Sequence, residues 1–166
     1  YPAEGELLWA KAGLLEQDGK IEDAIRIYED LYRQNSANAI VANNLASLLS
    51  SHRHDPESLA KAEVIARRLR GSNIAPYQAT YGWIAYLRGN HAEAVKELEP
   101  AAQALPDDPT VQYHLAKTYE AMGRKSDALG VYKRVLSLIA DENQQEFAIE
   151  ARKAVENLTA AGVKAP

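Results

Sequence analysis

Apolar residues recur along this 166-residue chain at the three- and four-residue spacing of amphipathic helices. The clearest stretch is 81–106, where two such patterns flank a short turn centred on Gly89. The small residues Gly82 and Ala94 lie where the two helices would touch, and Pro106 ends the pair. No alternating run of apolar and polar residues is bounded by turns, so strands are not expected. The pattern predicts an all-α protein built of helix pairs.

The same skeleton returns 34 residues later, which indicates a stacked array of helix-turn-helix units. The turn glycines set the register and predict four units, at residues 5–38, 39–74, 75–108 and 109–142. A ninth amphipathic helix is predicted over 143–161. This helix would cap the fourth unit, because the end of a helical stack needs a polar outer face.

The second unit departs from the regular pattern, since it has 36 residues and lacks a turn glycine. Asp55 followed by Pro56 predicts a helix start there instead, because Asp is a favoured N-cap and Pro suits the first helical position. In the third unit, Pro100 falls inside the second helix and is expected to kink it.

The order of a large apolar residue, a small one, an aromatic, then Ala, an aromatic and Pro resembles the tetratricopeptide repeat (TPR) family. The fourth unit matches best, through Tyr119, Gly123, Ala128 and Tyr132. The first unit departs from the family at Ser36, where the family has Pro. The resemblance implies a right-handed solenoid of paired helices that acts in protein–protein binding.

Small and aromatic residues of the repeat are expected in the core. Leu in place of Gly82 is expected to overpack the helix contact at a cost of about 1–3 kcal/mol. Ala is expected to be tolerated there, because it favours a helix over Gly by up to about 1 kcal/mol. The other small contact positions are Ala24, Ala62, Ala94, Ala116 and Ala128. The aromatic core positions are Tyr28, Tyr119 and Tyr132.

Composition narrows the function classes. The net charge of −4 does not suggest a basic nucleic-acid surface, and no apolar run is long enough to span a membrane. The absence of Cys excludes disulfides and thiolate metal sites and leaves the redox compartment open. His52 and His54 lie close together but lack a third ligand, so a solvated loop is expected. No catalytic motif occurs, and we predict a non-enzymatic protein without metal or cofactor.

The TPR resemblance implies that the first helix of each unit lines a concave groove that binds a peptide or helix. The implied groove positions are Trp9, Ala10, Gly13, Asn43, Asn44, Ser47, Ala79, Thr80, Trp83, Tyr113, His114 and Lys117. Asn44, Thr80, Trp83, His114 and Lys117 are expected on one continuous surface. The family's Asn falls at Asn44, and its amide can both donate to and accept from a peptide backbone. Trp83 is expected either to anchor an apolar ligand side chain or to pack against its own second helix. One TPR subclass holds a terminal carboxylate in a clamp of Lys and Arg, and this groove offers Lys117 alone.

A narrower resemblance is to bacterial TPR proteins of exopolysaccharide export and cell-envelope assembly. Three segments carry it, namely Asn-Asn-Leu-Ala at 43–46, Tyr-Gly-Trp at 81–83 and Tyr-His-Leu at 113–115. It implies a scaffold in a secretion complex, and it favours a periplasmic or envelope-associated location over a cytoplasmic one.

The sequence is compatible with three functions. The first is a scaffold that binds another protein or peptide, and the second is a module that self-associates through an uncapped first repeat. The third is an accessory domain of an enzyme encoded upstream. Pro2 falls at the closing-Pro position of a preceding unit, so further repeats are expected before Tyr1 unless Pro2 belongs to a linker.

Overall fold

A computed structural model describes residues 2–139 and 146–166, and its regular elements in these ranges are all helical. The α-helices of the described residues are α1 Pro2–Gln17, α2 Ile21–Gln34, α3 Ala39–His52, α4 Pro56–Ala66, α5 Ala75–Leu87, α6 His91–Ala104, α7 Pro109–Ala121, α8 Lys125–Leu138 and α9 Glu146–Ala160. A 3-10 turn, Arg67–Leu69, follows α4 directly. The prediction of an all-α protein of paired helices is therefore confirmed.

The chain divides into two compact units, Tyr1–Ser72 and Asn73–Pro166. In the first, α2 packs against both α1 and α3, and α3 packs against α4. In the second, each helix from α5 to α9 packs against the next one along the chain. Packing between sequence neighbours is typical of a repeat array. Residues 140–142 of the fourth predicted repeat and 143–145 of the predicted cap lie outside the described residues.

The helix boundaries follow the predicted turn chemistry. Gly89 and Gly123 have φ of 78° and 75°, a left-handed conformation that glycine adopts without strain. In the second repeat, the Asp55 carboxylate accepts a 2.8 Å hydrogen bond from the backbone N–H of Ser58, and Pro56 is the first residue of α4. The predicted start of this helix is confirmed, because a side-chain cap begins the helix where the other repeats use a turn glycine.

Helix α6 accommodates a proline in its interior. It continues through Pro100 and ends at Ala104. Pro100 cannot donate the usual backbone hydrogen bond to the carbonyl of Lys96. Both residues lie on the exposed side of α6, where water can satisfy that carbonyl. The bend expected at Pro100 stays a prediction.

The core consists of small residues between helices and of large ones that fill the spaces between pairs. The predicted small contact positions Ala24, Ala62, Ala94, Ala116 and Ala128 are all 0% exposed. Tyr28, Tyr119 and Tyr132 are also buried, as predicted. Their hydroxyl groups are not left unpaired: Tyr132 donates to Glu120 at 2.7 Å, and Tyr119 donates to Glu99 at 2.9 Å. The rings therefore fill the core while their polar ends reach partners.

Gly82 lies at the closest contact between α5 and α6. A Cβ at this position would stand 2.8 Å from Cγ of Leu98, 3.2 Å from Cβ of Glu97 and 3.3 Å from the carbonyl oxygen of Ala94. Leu98 is itself fully buried, so it cannot move aside without disturbing other contacts. The expectation that Ala is tolerated at Gly82 is therefore wrong, because the steric conflict begins with the first methyl group.

We predict that Gly82→Ala lowers the free energy of unfolding by about 1–3 kcal/mol through overpacking. Gly13→Ala is the matched control, since Gly13 also lies inside a helix but no atom of another described residue lies within 4 Å of the added Cβ. Gly13→Ala should raise stability by up to about 1 kcal/mol through helix propensity. Urea denaturation followed by circular dichroism measures both changes. A Gly82→Ala protein as stable as its parent would show that Leu98 yields.

Candidate functional site

The first unit contains an open cleft of about 740 Å³ between α1, the end of α2 and the start of α3. Its lining residues are Gly5, Glu6, Leu8, Trp9, Leu31, Gln34, Asn35, Asn38, Ile40 and Val41. Trp9, a predicted groove residue, is 45% exposed, and Ile40 across the cleft is 51% exposed. We refer to this feature as the α1–α3 cleft. It combines exposed apolar side chains with a rim of side-chain amides.

The rim amides are fixed by their oxygen atoms. Asn38 Oδ1 accepts from the backbone N–H groups of Ile40 and Val41 at 3.1 and 3.2 Å, which caps α3. Asn35 Oδ1 accepts from the backbone N–H of Ala37 at 3.1 Å. These bonds hold the two side chains in place while their amide nitrogens keep donors for another molecule. Sequence reasoning missed this rim, although Asn before a helix is a recognisable capping signal.

The predicted groove residues on α3 are tied to one another and to the core. Asn44 Nδ2 donates to the hydroxyl of Tyr28 at 3.1 Å, and Asn43 Nδ2 donates to Asn44 Oδ1 at 3.3 Å. Burial raises the pKa of Tyr28, so its hydroxyl is neutral and can both accept and donate. The Asn44 amide is thus oriented, with one further hydrogen and one further lone pair for a ligand. Ser47, on the next turn of α3, is half-buried.

In the second unit, Trp83 packs against two other rings. Its indole is stacked on Tyr86 with a centroid distance of 4.8 Å and on His114 with a centroid distance of 3.8 Å. The planes differ by 8° and 7°, so both contacts are parallel stacks. Trp83 therefore joins α5 to α7, and its Nε1 atom is inaccessible and has no hydrogen-bond partner among the described residues. Tyr86 was not predicted, although its three-residue spacing from Trp83 indicates a shared helix face.

His114 has a half-buried side chain, but its Nδ1 atom is inaccessible and has no hydrogen-bond partner among the described residues. Desolvation lowers its pKa to about 3, so the imidazole is neutral near pH 7. The Trp83 stack is consequently an uncharged aromatic contact. Thr80, at the equivalent position one repeat earlier, is half-buried on α5.

Helix α9 covers the remaining predicted groove residues of α7. Tyr113 is 7% exposed and donates its hydroxyl hydrogen to Glu150 Oε2, which also lies 3.2 Å from Lys117 Nζ. The hydrogen bond from Tyr113 is the main reason that the pKa of Glu150 lies below its usual value. Because Glu150 balances the charge of Lys117, this part of α7 presents no uncompensated cation. The sequence carried no signal for Glu150, which comes from a helix 33 residues beyond Lys117.

His52 and His54 are both exposed. Across residues 2–139 and 146–166, no group of three or more His, Asp or Glu side chains is placed to hold a metal ion. In the same ranges, no helix combines the length and apolar character needed to cross a membrane.

Comparison with known proteins identifies the repeats. A family model described as tetratricopeptide repeat matches residues 85–148, from the last turn of α5 to the first residues of α9. Residues 85–148 are therefore similar to tetratricopeptide repeats. The sequence-based resemblance to TPR proteins is thereby confirmed. Among curated proteins, none matches this chain.

Solved TPR structures resemble nearly the whole chain. MamA superposes with a TM-score of 0.66 at 14% identity over 98% of this chain and 84% of MamA. TTC0263, a thermophilic TPR protein of Thermus thermophilus, gives 0.66 at 22% identity, covering 94% of this chain and 84% of TTC0263. YrrB, described as a TPR protein with an unusual peptide-binding site, gives 0.58 at 15% identity, covering 92% and 85%. These similarities show that the fold is a TPR-type helical solenoid.

We predict that His114 makes this TPR fold less stable in acid. Its folded-state pKa of about 3 lies below the ordinary value of 6.5, so the unfolded chain binds a proton first as the pH falls. Stability is full above the ordinary pKa and declines below it, by up to about 2 kcal/mol between pH 7 and pH 5. Urea denaturation at the two pH values should show this difference, and His114→Gln should reduce it. An identical pH dependence in parent and variant would contradict a buried, neutral His114.

Proposed function

We propose that this chain is a non-enzymatic scaffold that binds an extended segment of a partner protein in the α1–α3 cleft. The TPR fold supports a role in protein–protein interaction. The observation that carries the proposal is the exposed indole of Trp9 in a cleft whose rim offers fixed amide donors. Neither the exposed indole nor the amide donors of the rim contribute to the hydrophobic core of the first unit.

The apolar part of the cleft supplies the binding energy in this proposal. Trp9 on α1 and Ile40 on α3 are about half exposed and both line the cleft, so each offers apolar surface to a ligand there. Burial of apolar surface contributes about 25 cal/mol per Å². Trp is also among the residues that most often dominate a protein interface.

The polar rim favours an extended peptide over a purely apolar ligand. Peptide carbonyls that are not in a helix or sheet need donors, and the amide nitrogens of Asn35 and Asn38 provide them. A cleft of about 740 Å³ accommodates a few residues rather than a folded domain. YrrB, with its unusual peptide-binding site, gives the proposal a precedent within the fold.

The other predicted groove residues have a secondary part in this proposal. Asn44 offers one donor and one acceptor, whereas Trp83 is stacked on two rings and its Nε1 atom is inaccessible. Lys117 is paired with Glu150, so a partner's carboxylate is not required to balance it. That Asn44, Thr80, Trp83, His114 and Lys117 form one continuous surface stays a prediction.

We predict that Trp9→Ala weakens peptide binding by at least about tenfold, because Trp9 is the apolar anchor. Random peptides displayed on phage, selected on the parent protein, supply the probe, and fluorescence anisotropy of a labelled consensus peptide gives the affinity. Stability should change by less than about 1 kcal/mol, since Trp9 is half exposed. Trp83→Ala should instead destabilise the fold by about 3 kcal/mol, because that ring is stacked on two others.

Val64→Ala is the matched control, since Val64 is 58% exposed in the same unit but does not line the cleft. Its affinity for the consensus peptide should equal that of the parent. If Trp9→Ala binds as tightly as the parent, or if no peptide is enriched, the cleft is not the binding site.

Self-association through α1 is a second candidate function. Leu7 and Leu14 are 70% and 62% exposed and lie seven residues apart, on the same side of α1 with Ala10 between them. A pair of α1 helices from two copies would bury these leucines.

We predict that, if this function holds, the chain is a concentration-dependent dimer in sedimentation equilibrium and that Leu7→Glu makes it monomeric. Val64→Glu places the same charge on a comparably exposed apolar residue outside α1 and should leave the dimer intact. A parent protein that is monomeric at all concentrations rules this candidate out and leaves the peptide-binding proposal unaffected.

A role in exopolysaccharide export or envelope assembly is a narrower proposal. It rests on the sequence segments 43–46, 81–83 and 113–115. Subcellular fractionation of the native cells distinguishes an envelope scaffold from a cytoplasmic one.

A further inference from the structure

The last four residues of the sequence, Val163–Pro166, turn back from α9 and lie along α8. Gly162 has a φ of 77°, and the backbone N–H of Val163 donates to the carbonyl of Leu158 at 3.0 Å. This arrangement ends α9 and reverses the chain, as a glycine after a helix commonly does. We call residues 163–166 the strap.

The strap contacts one turn of α8 in two different ways. Ser126 Oγ donates a 2.6 Å hydrogen bond to the carbonyl oxygen of Lys164. Cδ of Pro166 lies 3.2 Å from the point that a Cβ on Gly130 would occupy. Ser126 and Gly130 are four residues apart and therefore share one side of α8. We call this side the α8 groove.

The sequence of α8 fits a close approach of another chain. Glycine inside a helix is less stable than Ala by about 0.5–1 kcal/mol, so its use needs a reason. At Gly130 the only atoms within 4 Å of an added Cβ, among the described residues, are those of Pro166. The missing side chain therefore makes room for the strap rather than for another part of the helix bundle.

The strap makes its contacts through one backbone carbonyl and through alternate side chains. Val163 and Ala165 pack against the core formed by α8 and α9, whereas Lys164 is exposed and contributes its carbonyl. Side chains of an extended segment alternate in direction, so residues two apart face the same surface. The groove thus selects an apolar residue, any residue, a small residue and Pro, in that order.

We propose that the α8 groove is a docking site for extended segments of this pattern, and that the strap is its resident occupant. A partner segment with the same spacing displaces the strap and binds in its place. The site is distinct from the α1–α3 cleft in its helix, its ligand pattern and its chemistry. The proposal does not depend on what binds that cleft.

The covalent connection of the strap to α9 makes the strap a strong competitor of any partner segment. The strap is joined to α9 by a short connection, which gives it an effective concentration of about millimolar or higher at the groove. A free peptide of the same sequence must compete with this local concentration. Binding in trans should therefore appear when the strap is weakened and should be suppressed in the parent chain.

The test uses the full chain with Val163→Asp and Ala165→Asp, which removes the apolar contacts of Val163 and Ala165 and leaves α8 unchanged. The probe is a synthetic peptide Gly-Val-Lys-Ala-Pro, blocked at both ends, and heteronuclear NMR follows the backbone amides of Ser126 and Gly130. We expect saturable shifts of these amides, with an apparent Kd at least about tenfold lower than in the parent.

Two control variants make the result specific. Lys164→Asp adds a charge to the strap at its exposed position and should behave like the parent. Gly130→Val, added to the double-Asp chain, fills the space of the Pro ring and should abolish the shifts while the rest of the spectrum stays native. Equal affinity in the parent and the double-Asp chain, or no saturable shift in the latter, overturns the proposal.

Discussion

The close contact between the two helices of each pair is the constraint on which this protein depends. Alanine at the other predicted contacts, and glycine at Gly82, let the helix backbones approach without a bulky side chain between them. That spacing in turn decides where the large residues fit. The stack of Trp83 on His114 joins two first helices of adjacent pairs, so a wider α5–α6 contact would displace the rings as well as the backbone.

The residues that the TPR resemblance places in the groove divide into two groups. Asn44, Trp83 and Tyr113 all make internal contacts, to Tyr28, to two rings and to Glu150 respectively. Trp9 does not share this role and stands exposed in the α1–α3 cleft. Preorganised side chains lose little entropy on binding, but covered ones also offer little surface. Recognition is therefore best supported where an exposed aromatic ring meets fixed polar groups.

The features that could be predicted from sequence are those that local chemistry determines. The period of apolar residues, the turn at Gly89 and the cap at Asp55 depend on neighbours a few residues away, and all three are confirmed. The effect of a methyl group on Gly82 depends on its distance from Leu98 in another helix, which no spacing rule supplies. The same is true of Glu150 beneath Tyr113, because a charge partner far along the chain leaves no periodic signal.

Packing mainly between sequence-neighbouring helices has a consequence for motion in the second unit. Helix α9 is held by α7 and α8, and α5 is held chiefly by α6, so the release of one end does not require the other to open. In a linear array, opening is a local event that spreads one interface at a time. The Glu150 contacts of Tyr113 and Lys117 can thus break and reform while Trp83 stays in its stack. Different stretches of a single repeat array can in this way respond to their surroundings on separate timescales.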